Sequence, residues 1–86
     1  MLVIINLYVE AKYLESLVNE LKQMPEVVDL FEVTGDQDLV LIVEAESIEH
    51  FRSVLVKRIL KKQGINGSNS LVVHHTHKRM GRLLEE

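Results

Sequence analysis

The hydrophobic positions along the chain form short, almost continuous apolar runs and two regularly spaced stripes. Two of the runs, residues 2–9 and 39–43, are rich in β-branched side chains and have few polar interruptions. Runs of this length and composition predict strands that are buried on both faces. Two further runs, residues 27–34 and about 68–76, contain more polar side chains and predict strands at less buried positions in the same sheet.

Between these runs, apolar residues recur at the spacing of a helix. The first stripe has acidic side chains on its opposite side, stops at Pro25, and consists of Leu14, Leu17, Val18, Leu21 and Met24. This pattern predicts an amphipathic helix that ends before the proline. Ser47 is a suitable N-cap for a second helix, which Gly64 ends. Its predicted apolar stripe consists of Ile48, Phe51, Leu55 and Ile59.

The resulting order is strand, helix, strand, strand, helix, strand. This βαββαβ order predicts a ferredoxin-like α+β fold, a two-layer sandwich with an antiparallel sheet and both helices on one face. The first and third strands, which are apolar on both faces, are expected at the centre, and the second and fourth at the edges. Because the helices cover only one face, the other apolar face predicts a dimer formed sheet to sheet.

Composition limits the class of protein. With 86 residues and no cysteine, the chain is one small domain whose thin core has no disulfide to support it. No apolar run reaches the roughly 20 residues of a membrane span, and no signal peptide is recognisable, so a soluble cytoplasmic protein is predicted.

The net charge of −3 conceals an asymmetry. Residues 1–49 hold 11 acids and 2 bases, whereas residues 50–86 hold 8 bases and 2 acids. We interpret this division as complementarity between subunits, so that assembly beyond the dimer should weaken with salt. A second interpretation is a nucleic-acid or phosphate footprint on the second helix, formed by Arg52, Lys57, Arg58, Lys61 and Lys62.

The turn Gly35-Asp36-Gln37-Asp38 is the most informative stretch for function. Its simplest interpretation is a hairpin turn with solvated acids, because glycine and aspartate both favour turns. A functional interpretation is that the glycine lets a ligand approach exposed amide donors while a neighbouring carboxylate neutralises an ammonium group. That combination suits an α-amino acid, which carries both charges.

The segment from Glu26 to Ala45, with Val33-Thr34-Gly35 followed by Asp38 and an apolar strand, resembles the effector-binding domain of the Lrp/AsnC family, also called the RAM domain. The resemblance extends in element order over residues 1–76. It implies dimerisation through the sheets, octamer-like rings of dimers, and an amino acid or similar effector bound between dimers. The candidate ligand-binding residues carried over by position are Thr34, Gly35, Asp36, Asp38, Ser68 and Ser70.

The resemblance also implies the domain boundaries and the partners. Residues 1–77 would form the RAM domain, and residues 78–86 a charged tail that is frayed or a short helical extension. Full-length members carry a helix-turn-helix before this domain, so the chain resembles a stand-alone version without direct DNA binding. Its implied function is to modulate transcription or amino acid metabolism by ligand-coupled assembly, with full-length Lrp/AsnC regulators as further partners and no membrane contact.

The sequence His74-His75-Thr76-His77 offers an alternative, a small metal-binding dimer. On a strand, only His75 and His77 would share a face, whereas a structural metal site needs three or four ligands. No metal or other cofactor is therefore predicted, and these histidines are expected in polar contacts. Catalysis is not predicted either, because cysteine, a phosphate-binding glycine loop and a Ser/His/Asp spacing are all absent from the sequence.

Overall fold

The computed structural model describes residues 1–84, which form a four-stranded sheet, two helices and a short C-terminal hairpin. The elements in chain order are β1 (Leu2–Val9), α1 (Leu14–Leu21), β2 (Val27–Glu32), β3 (Leu39–Glu44), α2 (Ile48–Ser53 with a π-helical continuation, Val54–Ile59), β4 (Ile65–Val72), β5 (Lys78–Arg79) and β6 (Arg82–Leu83). A 3₁₀ turn, Ala11–Tyr13, precedes α1. Neither helix in the described range has the length and apolar composition that a membrane crossing would require.

The sheet has the order β2-β3-β1-β4, and all of its neighbouring strands are antiparallel. The predicted ferredoxin-like α+β fold is thereby confirmed, including the central positions of β1 and β3. Both edge strands contain a register shift. Val28 is the extra residue of β2, between the pairs Val27–Val43 and Asp29–Ile42, and Asn66 is the extra residue of β4, before the pair Gly67–Tyr8.

One face of the sheet and both helices form a single hydrophobic core. Alternate residues of the two central strands are fully buried in it, namely Val3, Ile5, Leu7, Leu39, Leu41 and Val43. The helices contribute Leu21, Phe51, Val54 and Ile59 to the same cluster. The other residues of β1 and β3 are half-buried, except for the exposed Glu44, and Phe31 and Leu71 beside them are 52% and 56% exposed. This second face, which we call the open face, has no helix on it.

The second helix begins as predicted and then departs from the expected spacing. The Ser47 hydroxyl accepts a hydrogen bond from the His50 N–H at 3.0 Å, which confirms the N-cap. The predicted stripe is partly wrong, because Ile48 is 57% exposed and Val54 is buried instead. In the π-helical continuation hydrogen bonds run from residue i to i+5, and this wider turn points Val54 and Ile59 toward the core together.

The last strand of the sheet lies earlier in the sequence than predicted. It runs from Ile65 to Val72 instead of from about Ser68 to Thr76. Gln63–Gly67 resembles a loop because glycine and asparagine disfavour strands, yet Gly67 pairs with Tyr8 and Ile65 with Val9. Main-chain bonding to β1, which side-chain pattern does not report, fixes this register.

The C-terminal segment forms a hairpin, so the predicted helical extension is wrong for residues 78–84. Strands β5 and β6 pair through Lys78–Leu83 and Arg79–Arg82, and Met80 and Gly81 between them both have positive φ. Two consecutive positive φ values define a type I′ turn, the one that best fits a tight hairpin. Glu85 and Glu86, the end of the predicted tail, lie outside the described residues.

Residues 73–80, which lead into the hairpin and include its first strand, lie over one end of the open face, and we call this segment the arm. Arg79 approaches the Asp29 carboxylate of β2 at 3.7 Å. An open cleft of about 720 Å³ lies between this arm and the sheet, with Leu2, Ile4, Phe31 and Ile42 in its apolar wall. The arm thus leaves a large apolar concavity on the side of the sheet away from the helices.

Candidate functional site

The predicted ligand-binding turn connects β2 and β3 and lies at the end of β1. The Val33 N–H donates to the Asp38 carbonyl at 3.0 Å, which closes the turn around residues 34–37. The Asp38 N–H donates to the Leu7 carbonyl at 3.0 Å. The Asp38 carboxylate oxygen Oδ2 accepts a hydrogen bond from the Val9 N–H at 2.7 Å. Asp38 is therefore tied to both neighbouring strands.

The residues inside the turn are exposed. Thr34, Gly35 and Asp36 are all on the surface, and none of the backbone N–H groups of residues 34–37 donates to an acceptor within residues 1–84. The Asp36 carboxylate likewise has no partner among the described residues. Gly35 has a φ of +131°, and a Cβ at this position would meet no atom within 4 Å. The turn therefore presents amide donors and a carboxylate to its surroundings.

The two candidate serines lie on β4, at the opposite edge of the sheet from β2. Ser68 pairs with Leu7 and Ser70 with Ile5 across the sheet. Paired residues of neighbouring strands point to the same face, and both partners are fully buried under the helices. Leu7 also pairs with Leu39 on its other side, so two strand spacings of about 4.8 Å each separate Ser68 from the end of the turn. One chain therefore does not bring the serines to Asp36.

The sequence did not predict the hydrogen bonds and the packing contact that hold the chain together near this end of the sheet. The Glu10 N–H donates to the Gly64 carbonyl at 2.8 Å, and the Gln63 amide donates to the Tyr13 hydroxyl at 2.9 Å. Gly64 has a φ of +98°, and a Cβ there would lie 2.4 Å from the Tyr13 Cβ. In the sequence, the only sign of this contact was Gly64, which we interpreted only as the end of the second helix.

The basic cluster on α2 is partly used within the chain. Arg58 contacts the Glu26 carboxylate at 2.6 Å, and Lys62 contacts Glu20 at 3.4 Å. These ion pairs join α2 and the turn after it to the first helix and the loop that follows that helix. Arg52, Lys57 and Lys61 are exposed and form no ion pair within the described range.

The histidine cluster lies beyond the end of β4, so the expected strand geometry for these residues is wrong. The rings of His75 and His77 meet edge to face, with centroids 4.5 Å apart, and both histidines make further interactions. No group of three or more potential metal ligands comes together in residues 1–84. The described geometry provides no observation that favours a metal centre.

The family model of the Lrp/AsnC ligand binding domain matches residues 2–83. The HTH-type transcriptional regulator Ptr1 of Methanocaldococcus jannaschii is 32% identical over 75 residues, which cover 87% of this chain and 51% of that protein. The chain spans about half the length of the curated relatives it matches, and these are named as transcriptional regulators.

Solved structures share the fold. The protein TTHA0845 from Thermus thermophilus superimposes with a TM-score of 0.85 at 22% identity, covering 91% of this chain and 98% of that one. The transcriptional regulator NMB0573 from Neisseria meningitidis, solved as a complex with L-Met, gives a TM-score of 0.78 at 19% identity, covering 88% of this chain and 52% of that one. At these identities the likeness concerns the fold alone.

Proposed function

Because the chain belongs to the Lrp/AsnC ligand-binding domain family, we propose that it binds a small amino-acid effector and couples this binding to its own assembly. The observation that carries the proposal is the turn at residues 34–37, whose N–H groups and Asp36 carboxylate have no partner within residues 1–84. The methionine complex of the Neisseria regulator supports an amino acid as the ligand class.

The chemistry of the turn matches the two charges of an α-amino acid. Backbone N–H groups that point outward from a turn bind carboxylates, because several partial positive charges converge on one anion. Asp36 supplies the negative charge that an ammonium group needs. Thr34 and Gly35 shape the entrance, and Ser68 and Ser70 can complete such a site only from another subunit, since one chain keeps them apart.

The open face of the sheet supports assembly. It carries Ile4, Ile42, Phe31 and Leu71 without a helix to cover them. Burial of several hundred Å² of apolar surface contributes on the order of 10 kcal/mol before the cost of association, at about 25 cal/mol per Å². The proposed assembly is a dimer through this face, from which rings of dimers are built. Ligand binding then shifts assembly only if the two assembly states bind it with different affinity.

The regulatory role is proposed from the relatives. Their names describe transcriptional regulators, and full-length regulators with the same kind of domain are suitable partners for co-assembly through the open face. The activity of this chain would then be to alter the assembly, and so the DNA occupancy, of such a regulator.

Isothermal titration calorimetry with each standard amino acid at millimolar concentration tests the binding step. We expect heat with at least one of them, and a loss of about tenfold or more in affinity for Asp36→Asn, because a charge-assisted contact is lost. Glu15→Gln, an equally exposed carboxylate on α1, is the matched control and should bind normally. No heat with any amino acid would contradict the proposal.

A further inference from the structure

We infer that Asp38 is a positioning residue. Its carboxylate takes the place of a main-chain carbonyl at the end of β1 and so holds the turn at residues 34–37 open. Asp36 is the carboxylate that remains for a ligand. The inference rests on the proposed function for the meaning of the turn. Its structural part, the bond between Asp38 and Val9, can be tested without any ligand.

The register of the sheet shows what the carboxylate replaces. The backbone N–H and C=O groups of odd-numbered residues in β1 point toward β3. The Met1 and Leu7 carbonyls, for example, accept hydrogen bonds from the Ala45 and Asp38 N–H groups. Leu7 pairs with Leu39, so continuation of the antiparallel ladder would set Val9 opposite residue 37. The Val9 N–H instead donates to Asp38 Oδ2 at 2.7 Å. The side chain thus takes the place of the carbonyl of residue 37.

This substitution lets the chain leave the sheet early. An unpaired N–H at the end of a central strand costs free energy when it is shielded from water, and the Asp38 carboxylate removes that cost. Residue 37 is thereby released from pairing with β1, so its N–H group remains available beside those of residues 34–36 in the turn. A short loop that continued the ladder would engage the N–H group of residue 37 in the sheet.

The same contacts separate the roles of the two aspartates. Asp38 is half-buried, and its N–H, C=O and side chain are all engaged, with Leu7, Val33 and Val9. Asp36 is exposed and has no partner in residues 1–84. A ligand ammonium group that approaches the turn therefore meets the Asp36 carboxylate first.

Two substitutions of Asp38 distinguish positioning from direct binding. Asp38→Asn keeps an oxygen that accepts from the Val9 N–H but removes the charge, whereas Asp38→Ala removes both. We expect amide hydrogen exchange at Val9, followed by NMR, to accelerate roughly tenfold or more in Asp38→Ala and to change less than about threefold in Asp38→Asn. Asp36→Asn should leave Val9 exchange unchanged.

Calorimetry on the same variants supplies the second readout, with L-methionine as the first probe and the other standard amino acids after it. We expect Asp38→Asn to bind within about threefold of the unsubstituted chain, and Asp38→Ala to bind roughly tenfold more weakly. Equal loss of binding in both variants, with Val9 still protected in Asp38→Asn, would overturn the inference, because the charge would then act on the ligand. Unchanged Val9 exchange in Asp38→Ala would also overturn it.

The two proposals fail in distinguishable ways. If the unsubstituted chain binds no amino acid, the proposed function fails, and the role of Asp38 is then decided by Val9 exchange alone. Thermal unfolding followed by circular dichroism accompanies each variant. If Asp38→Ala does not fold, the decision passes to Asp38→Asn, for which accelerated Val9 exchange counts against the inference and preserved exchange with preserved binding supports it.

Discussion

At the scale of single residues, two glycines with positive φ have different physical reasons for being glycine. Gly35 has open space around it, so its requirement is conformational: φ is +131° and no atom lies within 4 Å of an added Cβ. Gly64 has the same conformational requirement and also lies against the Tyr13 Cβ. A ligand or another chain can therefore approach Gly35, whereas packing against Tyr13 requires a glycine at position 64.

We predict that Gly64→Ala destabilises the fold more than Gly35→Ala. Backbone strain costs about 1–2 kcal/mol at each site, and overpacking against Tyr13 adds about 1–3 kcal/mol at Gly64 alone. Urea unfolding of the two variants measures the difference. Tyr13→Ala should not rescue Gly64→Ala, because alanine retains the Cβ that clashes. Equal destabilisation by the two glycine substitutions would contradict this account.

The sequence was least informative about the roles of individual residues in the site. Turn chemistry predicted that residues 35–38 leave the sheet, because glycine and aspartate favour that geometry. It treated Asp36 and Asp38 alike, since both are acids in one turn. Only the three-dimensional register sets Val9 beside Asp38, and a contact between residues so distant in sequence leaves no local pattern.

At the scale of elements, periodicity predicted each helix and strand of the sandwich but not the spacing inside α2. A regular helix from Ser47 would use Ile48 for its core stripe, yet Ile48 is exposed and the π-helical continuation buries Val54 with Ile59, while Leu55 packs against the core as predicted. Such a widening arises from tertiary packing and has no distinct residue signature. The predicted bounds of β4 were wrong for a related reason, because main-chain pairing with β1 determines where the strand begins and ends.

Two valines of α2 test this register directly. Val54 is 2% exposed and Val56 is 46% exposed, so Val54→Ala should cost about 2 kcal/mol through lost burial and a residual cavity. Val56→Ala should change the unfolding free energy by less than about 0.5 kcal/mol. Chemical denaturation of both variants provides the measurement. A larger cost at Val56 than at Val54 would contradict this arrangement of the helix.

At the scale of the whole molecule, the two faces of the sheet are covered to different extents. Helices cover one face of the sheet, and the arm covers only one end of the other face, where Arg79 meets Asp29. This inequality was predictable from sequence, because a βαββαβ chain has two helices on one side and two strands that are apolar on both faces. The arm was not predictable, since its charged composition resembles a disordered tail.

The open face should govern association. We predict that Phe31→Glu shifts the protein to monomers in sedimentation velocity, because a charge within an apolar contact is costly to desolvate. Ile48→Glu is the matched control: Ile48 is 57% exposed and Phe31 52%, but Ile48 lies on the outside of α2. Loss of association in the control and not in Phe31→Glu would place the interface on the helices.

Salt should act on the next level of assembly. The excess of acids in residues 1–49 and of bases in residues 50–86 leads us to expect that species larger than the dimer dissociate as ionic strength rises, while the apolar dimer contact persists. Light scattering at low and high sodium chloride concentration measures both species. Dissociation of the dimer by salt, with larger species unaffected, would contradict this assignment.

The extra residues Val28 and Asn66 have a consequence for aggregation. Each lies in an edge strand, where regular unpaired backbone would offer a template for another strand. A bulge bends and twists the edge, so a flat incoming strand finds donors and acceptors out of step. The sheet thus discourages growth along its hydrogen-bonding direction, the direction of fibrils, and leaves stacking of one face on another as the favoured way for two copies to meet.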